Sequence, residues 1–118
     1  DYDVVVDIPS AVFHGWKSKT ALTNGPVSFA FEPSAVKISA VSDEWGTVQL
    51  TNPVEYSIHR SNQSCTINST SMNALNILAT CSNVLRFGLV ENMPLNAVVQ
   101  IDDSTQIKYF IAPMMTED

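Results

Sequence analysis

The most informative segment of the sequence lies at its end, where residues 106–118 read QIKYFIAPMMTED. Its first half places Ile107, Tyr109 and Ile111 at every second position, and this spacing predicts a β-strand with one apolar face. Pro113, two methionines and an acidic end follow the strand. Flexible apolar side chains after a strand indicate a tail that either folds back on a core or binds a partner.

The first half of the chain predicts a strand, a helix and three further strands. A strand over residues 4–8 ends at Pro9, and Ser10 is expected to cap a helix over residues 11–22. The turn signal TNGP, at residues 23–26, ends that helix. Alternating apolar residues then predict strands over residues 27–31, 36–40 and 48–50.

The second half repeats this order of elements. We expect strands over residues 55–59 and 64–68, a helix over residues 72–81, and strands over residues 84–90, 95–102 and 106–112. The sequence therefore predicts one α+β domain over residues 1–118, with two βαβββ repeats at about residues 1–52 and 53–118. The expected architecture has two helices packed on one face of a mostly antiparallel sheet of about eight strands.

Composition limits the classes of function. One domain is expected from 118 residues, of which 45% are hydrophobic and 15% charged, enough to build a core. The net charge of −6 argues against a protein that simply coats nucleic acid, because such proteins gain affinity from Lys and Arg on phosphates. We expect no signal peptide, and the sequence contains no apolar run long enough to span a membrane. Because it begins at Asp1 without Met, we expect a processed product or part of a longer chain.

Two cysteines leave two interpretations of the cellular compartment. Cys65 and Cys81 lack metal-ligand spacing, and in a reducing compartment we expect both to be buried thiols. The competing interpretation is a single disulfide in a secreted domain. Asn62 and Asn68 each begin an N-glycosylation tripeptide, a pattern that is common by chance but favours the secreted alternative.

Residues typical of catalysis are sparse in this sequence. His14 is expected on the first helix and His59 on a strand, each without a carboxylate spaced to orient it, so we expect structural or surface roles for both. With only four glycines, the chain has no glycine-rich phosphate loop. We therefore predict no enzymatic activity, no cofactor and no metal. Lys17 and Lys19 are the only close basic pair, and by themselves they indicate a solvated helix face.

Four segments together resemble the C-terminal domain of the DNA sliding clamp PCNA. They are NMPL at residues 92–95, VVQI at residues 98–101, QIKYFIAP at residues 106–113, and DYDVVVDIPS at residues 1–10. The resemblance is most specific at the tail, because members of the family end in a similar apolar run, an Ala-Pro pair and acidic residues. It implies the DNA-clamp fold, whose unit is the same βαβββ repeat.

The resemblance implies a nuclear scaffold that helps to encircle duplex DNA and recruits DNA polymerase and other replication and repair proteins. In the family, a short partner peptide lies in an apolar pocket near the chain end and pairs with the final residues. Carried over by position, the peptide site comprises Met93, Pro94, Phe110, Ile111, Ala112, Pro113 and Met115. The implied DNA-facing residues are Lys17 and Lys19, and the implied subunit-interface strand comprises Trp45, Gly46, Thr47, Val48, Gln49 and Leu50.

The sequence also departs from the family pattern. The family's first domain and linker, which contribute to the peptide pocket, have no counterpart here, and the second helix carries no basic residue. We therefore expect weak, non-specific contact with DNA, and we expect the open sheet edges to associate with other clamp subunits in a ring. A checkpoint-clamp subunit is the alternative within this fold, and a small secreted β-rich binding module is the alternative from another class.

Overall fold

The structure, a computed structural model, describes residues 1–44 and 46–114. Within them the strands are β1 Val4–Pro9, β2 Val27–Glu32, β3 Ala35–Ser42, β4 Gly46–Pro53, β5 Tyr56–His59, β6 Gln63–Ile67, β7 Val84–Leu89, β8 Leu95–Asp102 and β9 Thr105–Ile111. The helices are α1 Ser10–Thr20, which a short 3-10 turn at Ala21–Thr23 extends, and α2 Ser69–Leu78. The predicted α+β class is confirmed.

The strands pair antiparallel, as expected, but they form two sheets where we expected one sheet of about eight strands. One sheet has five strands in the order β5-β1-β7-β8-β9, and the other has four in the order β4-β3-β2-β6. Each sheet includes one strand from the other half of the chain: β1 pairs with β7 in the five-stranded sheet, and β6 pairs with β2 in the four-stranded sheet. Alternation of apolar residues locates a strand but does not indicate such distant partners.

One core joins the two sheets and both helices. The inward side chains of the sheets alternate along each strand, as in β2, where Val27, Phe29 and Phe31 are buried. Helix α1 contacts both sheets through aromatic pairs: the ring centroids of Phe13 and Phe87 lie 6.0 Å apart, and those of Trp16 and Phe29 lie 6.2 Å apart. These tilted pairs fix the position of α1 over the junction of the two sheets.

Both helices begin differently from the prediction. Ser10 is the first residue of α1 instead of its cap, and its buried hydroxyl donates a hydrogen bond to the carbonyl oxygen of Ser82 at 2.6 Å. Helix α2 begins three residues earlier than expected, and Asn68 caps it by accepting a hydrogen bond from the amide of Ser71 at 2.8 Å. The Ser10 hydroxyl is thus used to attach α1 to the loop before β7, which local sequence rules do not anticipate.

Candidate partner-binding site

The predicted peptide site lies at one end of the five-stranded sheet, on the hairpin of β8 and β9. Leu95 pairs with Ile111 and Asn96 pairs with Phe110, so Pro94 and Ala112 follow at the same end. Because side chains alternate along β9, Ile111 points into the core while Phe110 stands on the outer face with 60% of its side chain exposed. Ile111 can therefore offer a ligand only its main chain.

The turn between β7 and β8 adds further apolar surface. The amide of Met93 donates to the carbonyl oxygen of Val90 at 3.0 Å, and Asn92 holds a φ of 64° within that turn. Asn tolerates this left-handed conformation better than most residues, and the turn leaves Met93 55% exposed and Pro94 exposed beside it. Met93, Pro94, Phe110, Ala112 and Met114 will be called the tail patch.

The described part of the tail, as far as Met114, leads from β9 to the other sheet. After β9 the chain crosses toward the four-stranded sheet, where the amide of Met114 donates to the carbonyl oxygen of Thr66 on β6 at 2.8 Å. A groove of about 350 Å³ lies beside this crossing, between β6, the segment that contains Met93, and the pair Pro113 and Met114. Met114 remains 41% exposed at the groove, and Met115 lies outside the described residues.

A second group of side chains on the same outer face was not predicted from the sequence. The ring of Tyr2 packs on Gly88, where a Cβ atom would lie 3.0 Å from the ring. The Nδ2 atom of Asn96 donates to the Tyr2 hydroxyl at 2.5 Å, and the residue is only 7% exposed. Its Oδ1 atom is buried without a hydrogen-bond partner among the described residues. Such an orphaned acceptor costs about 1–3 kcal/mol.

Sequence signals for this group do exist. A glycine inside a strand, such as Gly88 in β7, often marks the close approach of another group. An asparagine in a strand otherwise rich in Leu, Val and Ala, such as Asn96 in β8, is also unusual. Neither signal indicates that Tyr2 is the neighbour, because Tyr2 lies near the start of the chain, far in sequence from Gly88 and Asn96.

An ion pair holds the outer face of the five-stranded sheet near the other end of β7. The guanidinium of Arg86 donates to both carboxylate oxygens of Asp7, at 2.7 and 3.0 Å. This hydrogen bonding lowers the pKa of Asp7 below its usual value and raises the pKa of Arg86. Since both side chains are about half exposed, the pair contributes modestly to stability.

The predicted DNA-facing residues lie on α1. Lys19 is exposed and Lys17 is half-buried at a groove of about 200 Å³ between the two helices. Helix α1 is tied to α2 by a 2.5 Å hydrogen bond between Nδ1 of His14 and Oδ1 of Asn76. Within residues 1–44 and 46–114, neither lysine forms an ion pair. Both positive charges therefore remain available, although they are few.

The predicted subunit-interface strand is β4, which lies at one edge of the four-stranded sheet. Gly46, Thr47 and Gln49 are exposed, while Val48 and Leu50 are half-buried; Trp45 lies outside the described residues. In the five-stranded sheet the edge next to the tail patch is β9. Both edges present main-chain groups that can pair with another strand.

The cysteines differ in their surroundings, so the prediction of two buried thiols is wrong for one of them. Cys65 is buried in β6, and burial raises its pKa to about 12, whereas Cys81 is exposed after α2. Both thiols are free. The disulfide that would support a secreted module is therefore not formed in this fold.

The described part of the chain contains no group of three or more His, Cys, Asp or Glu side chains placed to hold a metal ion. His59, the second histidine of the sequence, has its Nε2 atom 3.0 Å from the carbonyl oxygen of Phe31, a contact that braces β5 against β2. Neither described helix has the length and apolar character to cross a membrane.

No family model matches the sequence, and no curated protein matches it at a significant level. The sequence segments and the arrangement of the tail patch are therefore the grounds on which a function can be argued.

Proposed function

We propose that this chain is a PCNA-like sliding-clamp domain, a non-catalytic nuclear scaffold that binds partner proteins through the tail patch. The observation that carries the proposal is the exposure of three large apolar side chains, Met93, Phe110 and Met114, around the end of β9. Exposed apolar side chains grouped at one place are typical of interaction sites. The NMPL and QIKYFIAP segments, which resemble PCNA, are the same segments that build the patch.

A partner peptide would use two parts of the patch. Phe110 and Pro94 offer a rigid apolar surface for an anchoring side chain, while Met93 and Met114 can adjust their shape to it. The extended part of the peptide would run along Ala112 and Pro113, where main-chain groups can add a short strand. Because the amide of Met114 is hydrogen-bonded to the carbonyl oxygen of Thr66, the neighbouring main chain is held in a fixed position for this pairing.

The proposed contact with DNA is made by the side of the domain that carries the two helices. Lys17 and Lys19 on α1 supply two positive charges, and α2 supplies none. Each neutralised phosphate contributes to affinity by releasing counterions, so two lysines on a chain of net charge −6 support only weak, non-specific binding. Encircling DNA would depend on other clamp subunits, and the edge strands β4 and β9 would pair with them.

The test is a calorimetric titration of the 118-residue chain with a peptide that carries the PCNA-interacting motif. The matched control is the same peptide with its aromatic anchor residues replaced by alanine. Micromolar binding of the first peptide and none of the second would support the proposal. Equal heats for both peptides, or no binding of either, would contradict a peptide-binding function of this domain.

A further inference from the structure

The connection between α1 and β2 carries a reactive pair of residues, Asn24 and Gly25. Asn24 is exposed at the end of the 3-10 turn, and it is the only asparagine of the sequence that glycine follows. The main-chain nitrogen after an asparagine can attack the side-chain amide carbon, close a five-membered succinimide ring and release ammonia. Glycine in the second position favours this reaction, because it adds no side chain and leaves the main chain free to rotate.

Both reacting groups are free in the folded chain. Within residues 1–44 and 46–114, neither the amide of Gly25 nor the side chain of Asn24 makes a hydrogen bond. Attack requires rotation about the ψ angle of Asn24, which is 34° in the fold. Gly25 can absorb this rotation before β2 begins at Val27, and no hydrogen bond of Gly25 has to break.

The fold itself does not require glycine at position 25. A Cβ atom there would lie 3.8 Å from the carbonyl oxygens of Thr23 and Val41, an ordinary contact distance. Its φ angle lies outside the left-handed region, which among the described glycines only Gly46 occupies. Alanine therefore fits at position 25, so steric fit gives no reason for the glycine.

The groove beside Asn24 favours the product of the reaction. Lys17, Asn24 and Ser69, the first residue of α2, line the same groove of about 200 Å³. The ammonium group of Lys17 and the amino-terminal end of α2 both bring positive charge to this groove. Such charge stabilises the negative oxygen that forms during ring closure and the carboxylate that remains after the ring opens.

We propose that Asn24 is a site of spontaneous modification by water. The amide nitrogen of Gly25 gives its proton to water and bonds to Cγ of Asn24, while the bond from Cγ to Nδ2 breaks and the departing nitrogen takes a proton and leaves as ammonia. Water then opens the succinimide at either of its two carbonyl carbons and leaves aspartate or isoaspartate at residue 24. The new carboxylate faces the groove and offsets the charge of Lys17. Its effect on DNA binding rests on the proposed function, whereas the modification itself does not.

The test incubates the 118-residue chain at physiological pH and follows the peptides that contain Asn24 and Asn92 by mass spectrometry. Asn92 is the internal control, because it is also exposed with a positive φ of 64°, but Met93 follows it and donates its amide to Val90. The Asn24 peptide is expected to gain the mass that replaces an amide by a carboxylate and to become a substrate for an isoaspartate methyltransferase. The Asn92 peptide is expected to stay unchanged.

Two variants test the roles of the neighbouring residues. Gly25→Ala is expected to slow the conversion of Asn24 by roughly tenfold, because alanine restricts the rotation that ring closure needs. Lys17→Ala is expected to slow it by about two- to fivefold, because the groove loses a positive charge. An Asn24 that stays intact, equal conversion of Asn24 and Asn92, or an undiminished rate in Gly25→Ala would overturn the site. The comparison of the two asparagines in the wild-type chain is decisive even if a variant fails to fold.

A second measurement separates the modification from the proposed function. Asn24→Asp reproduces the aspartate product, and Asn62→Asp makes the same change of charge at an exposed residue before β6. In titrations with duplex DNA at low salt, Asn24→Asp is expected to bind about two- to fivefold more weakly than Asn62→Asp. Equal binding of the two variants, or no binding of DNA by the wild type, would contradict the DNA contact of Lys17. Conversion of Asn24 in the same preparation would still support the modification site.

Discussion

Replacing Phe110 with alanine tests the centre of the tail patch. A buried aromatic side chain covers about 150–250 Å². With 60% of Phe110 exposed, roughly 100–150 Å² of it is free to be covered by a ligand. At about 25 cal/mol per Å² this area corresponds to about 3 kcal/mol, which is an upper value because association has its own costs. We therefore expect Phe110→Ala to weaken peptide binding by about ten- to hundredfold.

The assay is the calorimetric titration described above, performed on the wild-type chain and on two variants. Leu22→Ala is the matched control, since Leu22 is 68% exposed but lies in the 3-10 turn after α1. This control is expected to bind the peptide as the wild type does. Neither substitution should lower the free energy of unfolding by more than about 1 kcal/mol, because both side chains are largely exposed.

Two outcomes would refute this reasoning. If Phe110→Ala binds the peptide within about twofold of the wild type, Phe110 does not anchor the ligand. If Leu22→Ala loses as much affinity as Phe110→Ala, the peptide binds apolar surface without regard to position. Thermal unfolding of each variant confirms that any lost affinity arises from the site and not from the fold.

Three further predictions concern other parts of the molecule. At about pH 8 a thiol reagent should label Cys81 quickly and Cys65 slowly, because Cys65 is buried and its pKa is raised to about 12. Equal labelling rates would contradict the buried position of Cys65 in β6. The pKa of Asp7 is lowered in the folded chain, so its pair with Arg86 stabilises the fold above the unfolded pKa and loses this effect as pH falls. Arg86→Ala should therefore lower the melting temperature near neutral pH but hardly at about pH 2, and a deficit unchanged across that range would argue against the pair. Sedimentation should show association of the wild-type chain at high concentration and less of it for Thr47→Lys on the β4 edge, whereas a strictly monomeric wild type would exclude edge pairing.

Local patterns predicted the positions of strands well. The alternation of Val27, Phe29 and Phe31 gave β2, and that of Ile107, Tyr109 and Ile111 gave β9, to within one or two residues. These strands are buried on one face, and a side-chain period of two is the direct result of that burial. Strand pairing was not predictable in the same way, because β1 meets β7 across some eighty residues of sequence.

The candidate site was predictable where residues lie close together in sequence. Met93 and Pro94 are brought to Phe110 by a single hairpin, whose register follows from two adjacent strands. The attachment of Met114 to β6 and the seat of Tyr2 on Gly88 involve the opposite sheet and the opposite end of the chain. Such tertiary contacts form only when distant parts of the chain come together, and no local propensity specifies them.

The exchange of one strand, β1 for β6, between the two halves of the chain has a consequence for how the chain folds. Residues 1–53 contain β1 but not its partners β5 and β7, and residues 54–114 contain β6 but not its partner β2. Neither half can close its own sheet, so the two halves should unfold in one cooperative transition, without a half-folded intermediate. A chain cut in the turn between β4 and β5 should instead recover its structure by fragment complementation, since each piece supplies the strand that the other lacks.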